Sequence, residues 1–180
     1  MNMPHKFNQY NKSIPVNKHV IELLENDPSL LPSDIAKQLS ISEIEVVKSL
    51  PKEMVTMVSG LKTQEILEGL VGFGDVTTIV HSFGSIFEVK APFPKGKIAH
   101  GYYNLMGREG QLHGHLKLDL IQDIALISKP FRGTESHYFG FFNHDGHSVF
   151  KIYLGRDKKR QLIPEQVEAF NVLKQEYKYK

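Results

Sequence analysis

Hydrophobic residues follow two different periods along the chain. Near both ends they recur every three or four positions, as on one face of an amphipathic helix, whereas the middle carries short β-branched and aromatic runs. Helices are predicted over residues 17–26, 33–39, 42–50 and 61–70, and from Gln161 towards the C-terminus, with Pro164 near the start of the last one. Ser33 is a predicted helix cap, and Ser42 with Glu45 forms a predicted capping box.

Turn signals divide the β-rich middle of the chain into short strands. Strands are predicted over residues 76–81, 86–89, 98–106, 112–118, 121–128, 137–142 and 148–154. The sequence from Asn143 to Gly146 is typical of a hairpin turn between the last two strands. Helices, then a run of strands, then a final helix predict an α+β fold with a large, mainly antiparallel sheet.

Length and local composition predict one domain preceded by an arm. The 180 residues, of which 41% are hydrophobic, are enough for a single domain with its own core. Residues 1–16 are polar, contain two prolines and show no period, so we predict a flexible N-terminal arm. Residues 17–180 then form the domain, with a helical part at 17–72 and the sheet and C-terminal helix at 73–180.

The composition excludes several kinds of site and partner. The chain has no cysteine, which excludes disulfides, iron–sulfur clusters and cysteine-based zinc sites. Its 22 basic and 20 acidic residues leave a net charge of +2, which indicates no nucleic-acid partner. The N-terminus lacks the apolar core of a signal peptide, and no apolar run approaches the ~18 residues of a membrane span. We therefore expect a cytoplasmic protein without membrane contact.

The segment from Ser33 to Leu50 is similar to a helix-turn-helix, because two short helices are predicted close together. A DNA-binding regulator is therefore one alternative function. Glu43 and Glu45 would lie at the start of the recognition helix, however, where their charges would face phosphates and base edges. A helical packing module explains the same pattern and is the favoured interpretation.

Nine histidines, together with eleven Phe and seven Tyr residues, supply candidate ligands and flat apolar side chains. His113 and His115 flank Gly114, and in a strand such positions share one face. A zinc site at this face needs a third ligand. The candidates for it are His81, His100 and His137. A strand-face histidine that is hydrogen-bonded in place is the alternative interpretation.

The densest basic run is Gly155–Arg160, which contains Asp157. The run indicates one of two features. It is either a site that binds an anion, such as a carboxylate of a ligand, near the start of the last helix, or a solvated turn between a strand and that helix. His144 and His147 belong to the predicted hairpin turn. The sequence contains no nucleophile elbow, phosphate-binding loop or metalloprotease motif, so the residues assign no catalytic group.

Six collinear segments carry a family resemblance. They are residues 45–51 (EVVKSLP), 74–81 (GDVTTIVH), 100–105 (HGYYNL), 114–117 (GHLK), 124–127 (IALI) and 150–157 (FKIYLGRD). Each segment is weakly specific alone, but six in one order are a specific signal. From about Asp27 to the C-terminus, the chain resembles the ChuX/HutX family of cytosolic haem-utilization carriers.

The resemblance implies an antiparallel-sheet fold related to one half of the larger HemS/ChuS proteins. It also implies a homodimer and one haem b per subunit, which is handed to a degrading or acceptor protein. The family's haem histidines correspond to His81 and His115, which are therefore the expected ligands of the haem iron. Tyr102 or Tyr103 is an alternative ligand, as phenolate, while His113 has no assigned role.

Three functions follow in order of preference. A haem carrier in haem utilization and iron acquisition comes first, a haem-degrading, oxygenase-like enzyme second, and the DNA-binding regulator third. Degradation needs an open coordination position at the iron for oxygen, and two protein ligands would close it. We therefore predict a carrier with no catalytic residue.

Overall fold

The computed structural model describes residues 14–178. The helices in this range are α1 (Val16–Asn26), α2 (Pro32–Leu39), α3 (Glu43–Lys48), α4 (Thr63–Leu70) and α5 (Pro164–Lys178). The strands are β1 (Val55–Ser59), β2 (Asp75–Ser82), β3 (Ser85–Pro92), β4 (Gly96–Ala99), β5 (Tyr102–Leu105), β6 (Gly114–Leu116), β7 (Ile121–Ser128), β8 (His137–Asn143) and β9 (Ser148–Tyr153). Short 3-10 helices occupy Gly60–Lys62 and Leu118–Leu120. The α+β prediction, with its antiparallel sheet and C-terminal helix, is confirmed.

The strands form two antiparallel sheets. The large sheet has the order β1-β7-β8-β9-β2-β3, and the small sheet has the order β4-β5-β6. Hairpins join β2 to β3, β7 to β8 and β8 to β9, whereas the pairs β1–β7 and β2–β9 join segments that are far apart in the sequence. Within this chain, β1 and β3 are therefore the edge strands of the large sheet.

Alternate residues of the large sheet face two separate hydrophobic cores. Ala125 and Ile127 of β7 face a layer formed by α1, α2 and α3. Ile124 and Leu126 of the same strand face the other core, to which α4, α5 and the small sheet contribute. The large sheet is therefore the middle of three layers, and its two faces have different neighbours.

Both faces of β8 are covered, which explains its aromatic composition. Tyr138 stacks on Tyr153 of β9 on the helical side, with ring centroids 4.6 Å apart. Phe141 stacks on Phe150 on the opposite side, with centroids 4.3 Å apart. These aromatic pairs across neighbouring strands fix the register at the centre of the sheet.

The predicted helix caps are only partly correct. At α3 the capping box is formed as predicted, because Ser42 donates both its backbone N–H and its hydroxyl to a carboxylate oxygen of Glu45. At α2 the helix begins at Pro32 rather than after Ser33, and the Asp34 carboxylate accepts the backbone N–H of Leu31. The cap prediction at Ser33 is therefore wrong, since proline suits the first helical position.

One strand was absent from the predicted elements. Val55–Ser59 forms β1 inside the segment 17–72 that was predicted to be helical, and it pairs with β7 from Val55–Ile127 to Ser59–Asp123. The five residues lie between Pro51 and Gly60, and their partner is about seventy positions away in the sequence. Local periodicity carries no information on such a distant pairing, so the strand could not be placed.

The single strand predicted over residues 98–106 is wrong, because it is a hairpin. β4 and β5 are joined by a turn at His100 and Gly101, whose φ angles are +54° and +76°. Two consecutive positive φ angles are typical of the tightest hairpin turns, which are usually formed by Asn-Gly or Asp-Gly. This turn places β4 beside β5, which also pairs with β6.

The predicted arm at residues 1–16 lies mostly outside the described part of the chain. Residues 1–13 are not described, and α1 begins at Val16. Between residues 14 and 178, no helix is both long enough and apolar enough to cross a membrane.

Candidate functional site

Candidate ligands converge on the outer face of the small sheet. One side of this sheet, with Tyr103, Leu105 and Leu116, packs into the core beside α4 and α5. Strand alternation and register place five residues on the opposite side, which we call the outer face. They are Lys97, Ala99, Tyr102, Asn104 and His115.

His115 and Tyr102 lie next to each other on the outer face. The imidazole of His115 is exposed, and its ring centroid is 5.9 Å from that of Tyr102, with 68° between the ring planes. Tyr102 exposes 42% of its surface, which is high for a strand residue of this size. An imidazole and a phenol that are both accessible from one direction are a pair of potential ligands for iron.

The side chain of Asn104 forms hydrogen bonds with His115 and with the backbone around Tyr102. Asn104 pairs with His115 across the strands, and its Oδ1 is 2.6 Å from His115 Nδ1. The Asn104 Nδ2 donates to the carbonyl oxygens of Lys97, Ala99 and Tyr102 at 3.0–3.2 Å. Asn104 was not among the predicted site residues, although asparagine is uncommon inside strands and its position in β5 was a signal.

Cationic side chains border the outer face. The Lys117 ammonium donates to the carbonyl oxygen of Gly101 at 3.1 Å and lies 5.1 Å from the centroid of the Tyr102 ring. It also lies 3.6 Å from the Asp119 carboxylate in an exposed ion pair. Lys97 is exposed on β4. Two ammonium groups near an imidazole and a phenol can bind the carboxylates of an anionic ligand.

The structure separates the two adjacent tyrosines. Tyr103 points into the core and is only 1% exposed. Its burial, and secondarily the charge of Glu68, raise the pKa of the Tyr103 phenol, which disfavours the phenolate form. Gly96 makes room for this ring, because a Cβ at Gly96 would lie 2.2 Å from Tyr103 Cε1. Of the two, Tyr102 is the one accessible to a ligand.

His81 lies in a different part of the molecule. It is exposed near the end of β2, where it pairs with Ile86 of β3. Strand alternation places His81 with Ile79 on the helical side of the large sheet, where Ile79 pairs with Lys151. Partial desolvation, followed by the charge of Lys151, lowers the pKa of His81, which keeps the imidazole neutral to lower pH.

The structure therefore does not bring His81 and His115 together within one chain. His81 faces the layer of α1, α2 and α3, whereas the small sheet that carries His115 packs on the opposite side of the large sheet. His113 does not share a strand face with His115, because β6 begins at Gly114. The expectation of two imidazoles on one strand face is wrong for this reason.

The other two histidines proposed as zinc ligands, His100 and His137, have structural roles in their own segments. His137 is buried, with Nδ1 2.9 Å from Ser128 Oγ and Nε2 2.7 Å from Glu135 Oε1, so both ring nitrogens have protein partners. His100 forms the turn between β4 and β5. Within residues 14–178, no group of three or more His, Asp or Glu side chains is arranged to hold a metal ion.

The basic run Gly155–Arg160 forms a structured turn. The Asp157 carboxylate accepts the backbone N–H groups of Lys159 and Gln161, at 2.8 and 2.9 Å. Arg156 donates to the carbonyl oxygens of Glu135 and Arg160. These contacts favour the turn interpretation over an anion site, because the Asp157 charge and the Arg156 donors are engaged locally.

The helix pair packs onto the sheet. Glu43, at the start of α3, forms an ion pair with Lys151 of β9, and the two side chains are 12% and 5% exposed. Ile44, Val46 and Val47 of the same helix are buried against the large sheet. A recognition helix needs its first residues free to contact DNA, whereas Glu43 and Ile44 of α3 face the large sheet.

A wide, open groove of about 870 Å³ lies elsewhere, between α5 and the segment Gln161–Leu162. Its lining includes Glu135, Glu168 and Val172, and none of the predicted ligands. The exposed imidazole of His115 and the phenol of Tyr102 lie on the outer face of the small sheet instead. Because imidazole and phenolate are ligand groups for iron, the outer face is the candidate site.

Comparison with known proteins identifies the class. The family described as Haem utilisation ChuX/HutX matches residues 56–173. The intracellular heme transport protein HutX of Vibrio cholerae serotype O1 is 60% identical over 161 residues, which are 89% of this chain and 83% of that protein. The structure of the heme binding protein ChuX is 38% identical, with a TM-score of 0.80, covering 88% of this chain and 99% of that chain.

A more distant structural neighbour is about twice as long. The heme degrading enzyme ChuS of Escherichia coli O157:H7 is 19% identical with a TM-score of 0.71, and the match covers 86% of this chain and 44% of that one. This likeness shows a shared fold alone. The family match and the close relatives together show that the chain belongs to the ChuX/HutX family, and the resemblance found in the sequence is confirmed.

Proposed function

We propose that this chain is an intracellular haem carrier that binds one haem b per chain on the outer face of the small sheet. His115 is the proposed ligand of the haem iron, and Tyr102 is the alternative or second ligand. The observation that carries the proposal is that the side chains of His115 and Tyr102 are exposed next to each other. The proposal is also supported by the chain's membership of a haem-utilisation family, since relatives of the chain include proteins named for haem transport and haem binding.

The residues of the outer face fit haem chemically. Haem is a flat apolar ring with two carboxylates and a metal that accepts imidazole or phenolate ligands. His115 and Tyr102 offer these ligands, and Lys97 and Lys117 offer charge partners for the carboxylates. Ala99 adds apolar surface for the ring.

The exposure of the site suits transfer. A ligand on an open sheet face can leave without unfolding its carrier, whereas an enclosed cavity would retain it. We infer that the chain receives haem and delivers it to an acceptor or degrading protein inside the cell. The name of the 60% identical relative, an intracellular heme transport protein, supports this role.

We also propose a homodimer. Strand β3 is an edge with exposed apolar side chains, of which Ile86 and Phe87 are 59% and 61% exposed and Phe83 in the adjoining turn is fully exposed. Exposed edges of this kind need a cover. The fold of this chain also corresponds to about half of ChuS, so a second copy would supply the other half.

A dimer would allow His81 of one copy to reach the haem site of the other copy. Because His81 and His115 of one chain face opposite sides of the large sheet, they can share an iron only if they come from two copies. We therefore propose His81 of a second copy as the further ligand. Light scattering should give twice the chain mass of 20.5 kDa; a monomer with and without haemin would remove both the dimer and this role of His81.

Haemin titration followed by absorption spectroscopy tests the carrier. We expect a sharpened Soret band that saturates at one haem per chain, and a changed spectrum or weaker binding for His115→Ala. Circular dichroism of the variant serves as the control for folding. An unchanged spectrum and affinity after substitution of both His115 and Tyr102 would refute the proposed site.

The alternative function, haem degradation, is tested with the same loaded protein. Incubation with a reductant and catalase removes peroxide that would otherwise destroy haem without specificity. A carrier keeps its Soret band under these conditions. A single ring-opened product with released iron, abolished by His115→Ala, would show an enzyme instead.

A further inference from the structure

The side chain of Asn104 has a fixed orientation. Its Nδ2 is within hydrogen-bonding distance of three backbone carbonyl oxygens, those of Lys97 (3.2 Å), Ala99 (3.0 Å) and Tyr102 (3.1 Å). All three are acceptors, so the amide nitrogen must face them. A flipped amide would place Oδ1 against three carbonyl oxygens, none of which can donate a hydrogen bond. The Oδ1 atom consequently faces the opposite direction, towards β6.

This orientation determines what His115 can do. Asn104 Oδ1 is 2.6 Å from His115 Nδ1, and an amide oxygen can only accept a hydrogen bond. His115 Nδ1 must therefore donate, which means that it carries the ring proton. In the neutral imidazole the lone pair is then on Nε2, and that atom is the one left for a metal.

We propose that Asn104 is the positioning residue of the site: it selects the Nδ1–H tautomer of His115 and presents the unprotonated Nε2 on the outer face. The inference rests on the proposed function, because the orientation matters only if His115 binds iron. Metal-bound histidines are generally oriented by such a partner on the other ring nitrogen, which fixes the tautomer and the ring plane.

The same amide also ties together the backbone of the small sheet. Its carbonyl partners lie on β4 and at the start of β5, on both sides of the turn at His100 and Gly101. The Asn104 amide therefore links the backbone on both sides of this turn to the His115 ring. Lys117 also contacts the turn, through its hydrogen bond to the Gly101 carbonyl oxygen.

The tautomer can be measured without haem. Protein with 15N-labelled histidine is examined by long-range 1H–15N correlation at about pH 8.5, where histidine side chains are ordinarily neutral, and His115→Gln assigns the signal. We expect the Nδ1–H form in the wild type. Asn104→Ala should give a mixture of tautomers. An Nε2–H form in the wild type, or an unchanged Nδ1–H form in Asn104→Ala, would overturn the proposal.

Haemin binding supplies the second readout. Loss of such a partner weakens metal affinity on the order of 10–100-fold, so Asn104→Ala should bind haemin that much more weakly than the wild type. Equal affinity of Asn104→Ala and the wild type would remove the positioning role. If substitution of both His115 and Tyr102 leaves haemin binding unchanged, the proposed site fails while the tautomer result stands. The wild-type measurement needs only His115→Gln for its assignment, so it is decisive even if Asn104→Ala does not fold.

Discussion

The two histidines of the predicted site lie in surroundings that differ in kind. His115 has one ring nitrogen engaged by Asn104 and a phenol beside it, on an accessible sheet face. His81 lies at the end of a hairpin, and its electrostatic neighbours are the charged residues Lys151, Glu43, Lys37 and Asp34. A ligand needs a fixed ring and a free lone pair, and His115 is the one for which the structure provides both.

The exposure of the two imidazoles does not distinguish them, whereas their neighbours do. Both imidazoles are exposed, and both come from segments that resemble the haem-utilisation family. Only the neighbours across the strands distinguish them, because Asn104 fixes one ring whereas Ile86 is the partner of the other. The predictions below test this contrast, from the largest expected effect to the smallest.

Glu43→Ala should have the largest effect, on the His81 side of the sheet. Removal of Glu43 leaves the Lys151 ammonium buried without its partner, which generally costs roughly 3–5 kcal/mol of unfolding free energy. Urea unfolding measures this loss. Lys48→Ala is the matched control, since the pair of Lys48 with Asp123 is exposed and is worth at most about 1 kcal/mol. Equal effects of the two substitutions would contradict the assigned role of the buried pair.

The double substitution His115→Ala with Tyr102→Phe should have the next largest effect, on haemin affinity. We expect a loss of more than about 100-fold, because removal of an outer partner alone costs up to about that amount. His81→Ala is the matched comparison and should cost less, since it removes no group from the outer face. A larger loss for His81→Ala than for the double variant would reverse the contrast between the regions.

Gly96→Ala should destabilise the small sheet by roughly 1–3 kcal/mol. The added methyl would lie 2.2 Å from the buried Tyr103 ring, so either the ring or β4 must move. Gly69→Ala in α4 is the control, because a Cβ there meets no atom within 4 Å and alanine favours a helix by up to about 1 kcal/mol. Thermal unfolding should therefore show opposite shifts, and two shifts of the same sign would contradict the packing described.

The smallest effect concerns pH and His81. The pKa of His81 is lowered in the folded protein, so the unfolded chain binds the proton more readily. The free energy of unfolding should consequently fall as the pH drops below about 6.5, and His81→Gln should reduce that fall. His113→Gln, at an exposed position outside the strands, is the control. A pH dependence that is identical in wild type and His81→Gln would refute the assignment.

The sequence predicted most of the elements but not their pairing. The helices, the hairpin at Asn143–Gly146 and the strands 121–128 and 148–154 have strong local patterns, and the structure contains them. Strand β1 and the turn at His100 and Gly101 have no such pattern, because one depends on a distant partner and the other on two positive φ angles.

The candidate site was predictable by residue type and not by geometry. Family resemblance selected His81 and His115, yet the opposite orientation of Tyr102 and Tyr103 depends on which face of β5 meets the core. The contact between Asn104 and His115, which are eleven positions apart in the sequence, depends on the register of β5 with β6. Neither face nor register can be derived from one strand's own sequence.

The central claim is that haem binds on the outer face of the small sheet. The paramagnetic iron of haemin broadens nearby signals, so a 1H–15N backbone spectrum of labelled protein titrated with haemin locates the iron. We expect signals of residues 97–104 and 114–117 to disappear first, with additional loss around His81 if a second copy contributes it. Loss confined to residues 34–43 and 77–88, with the small sheet unaffected, would contradict the account.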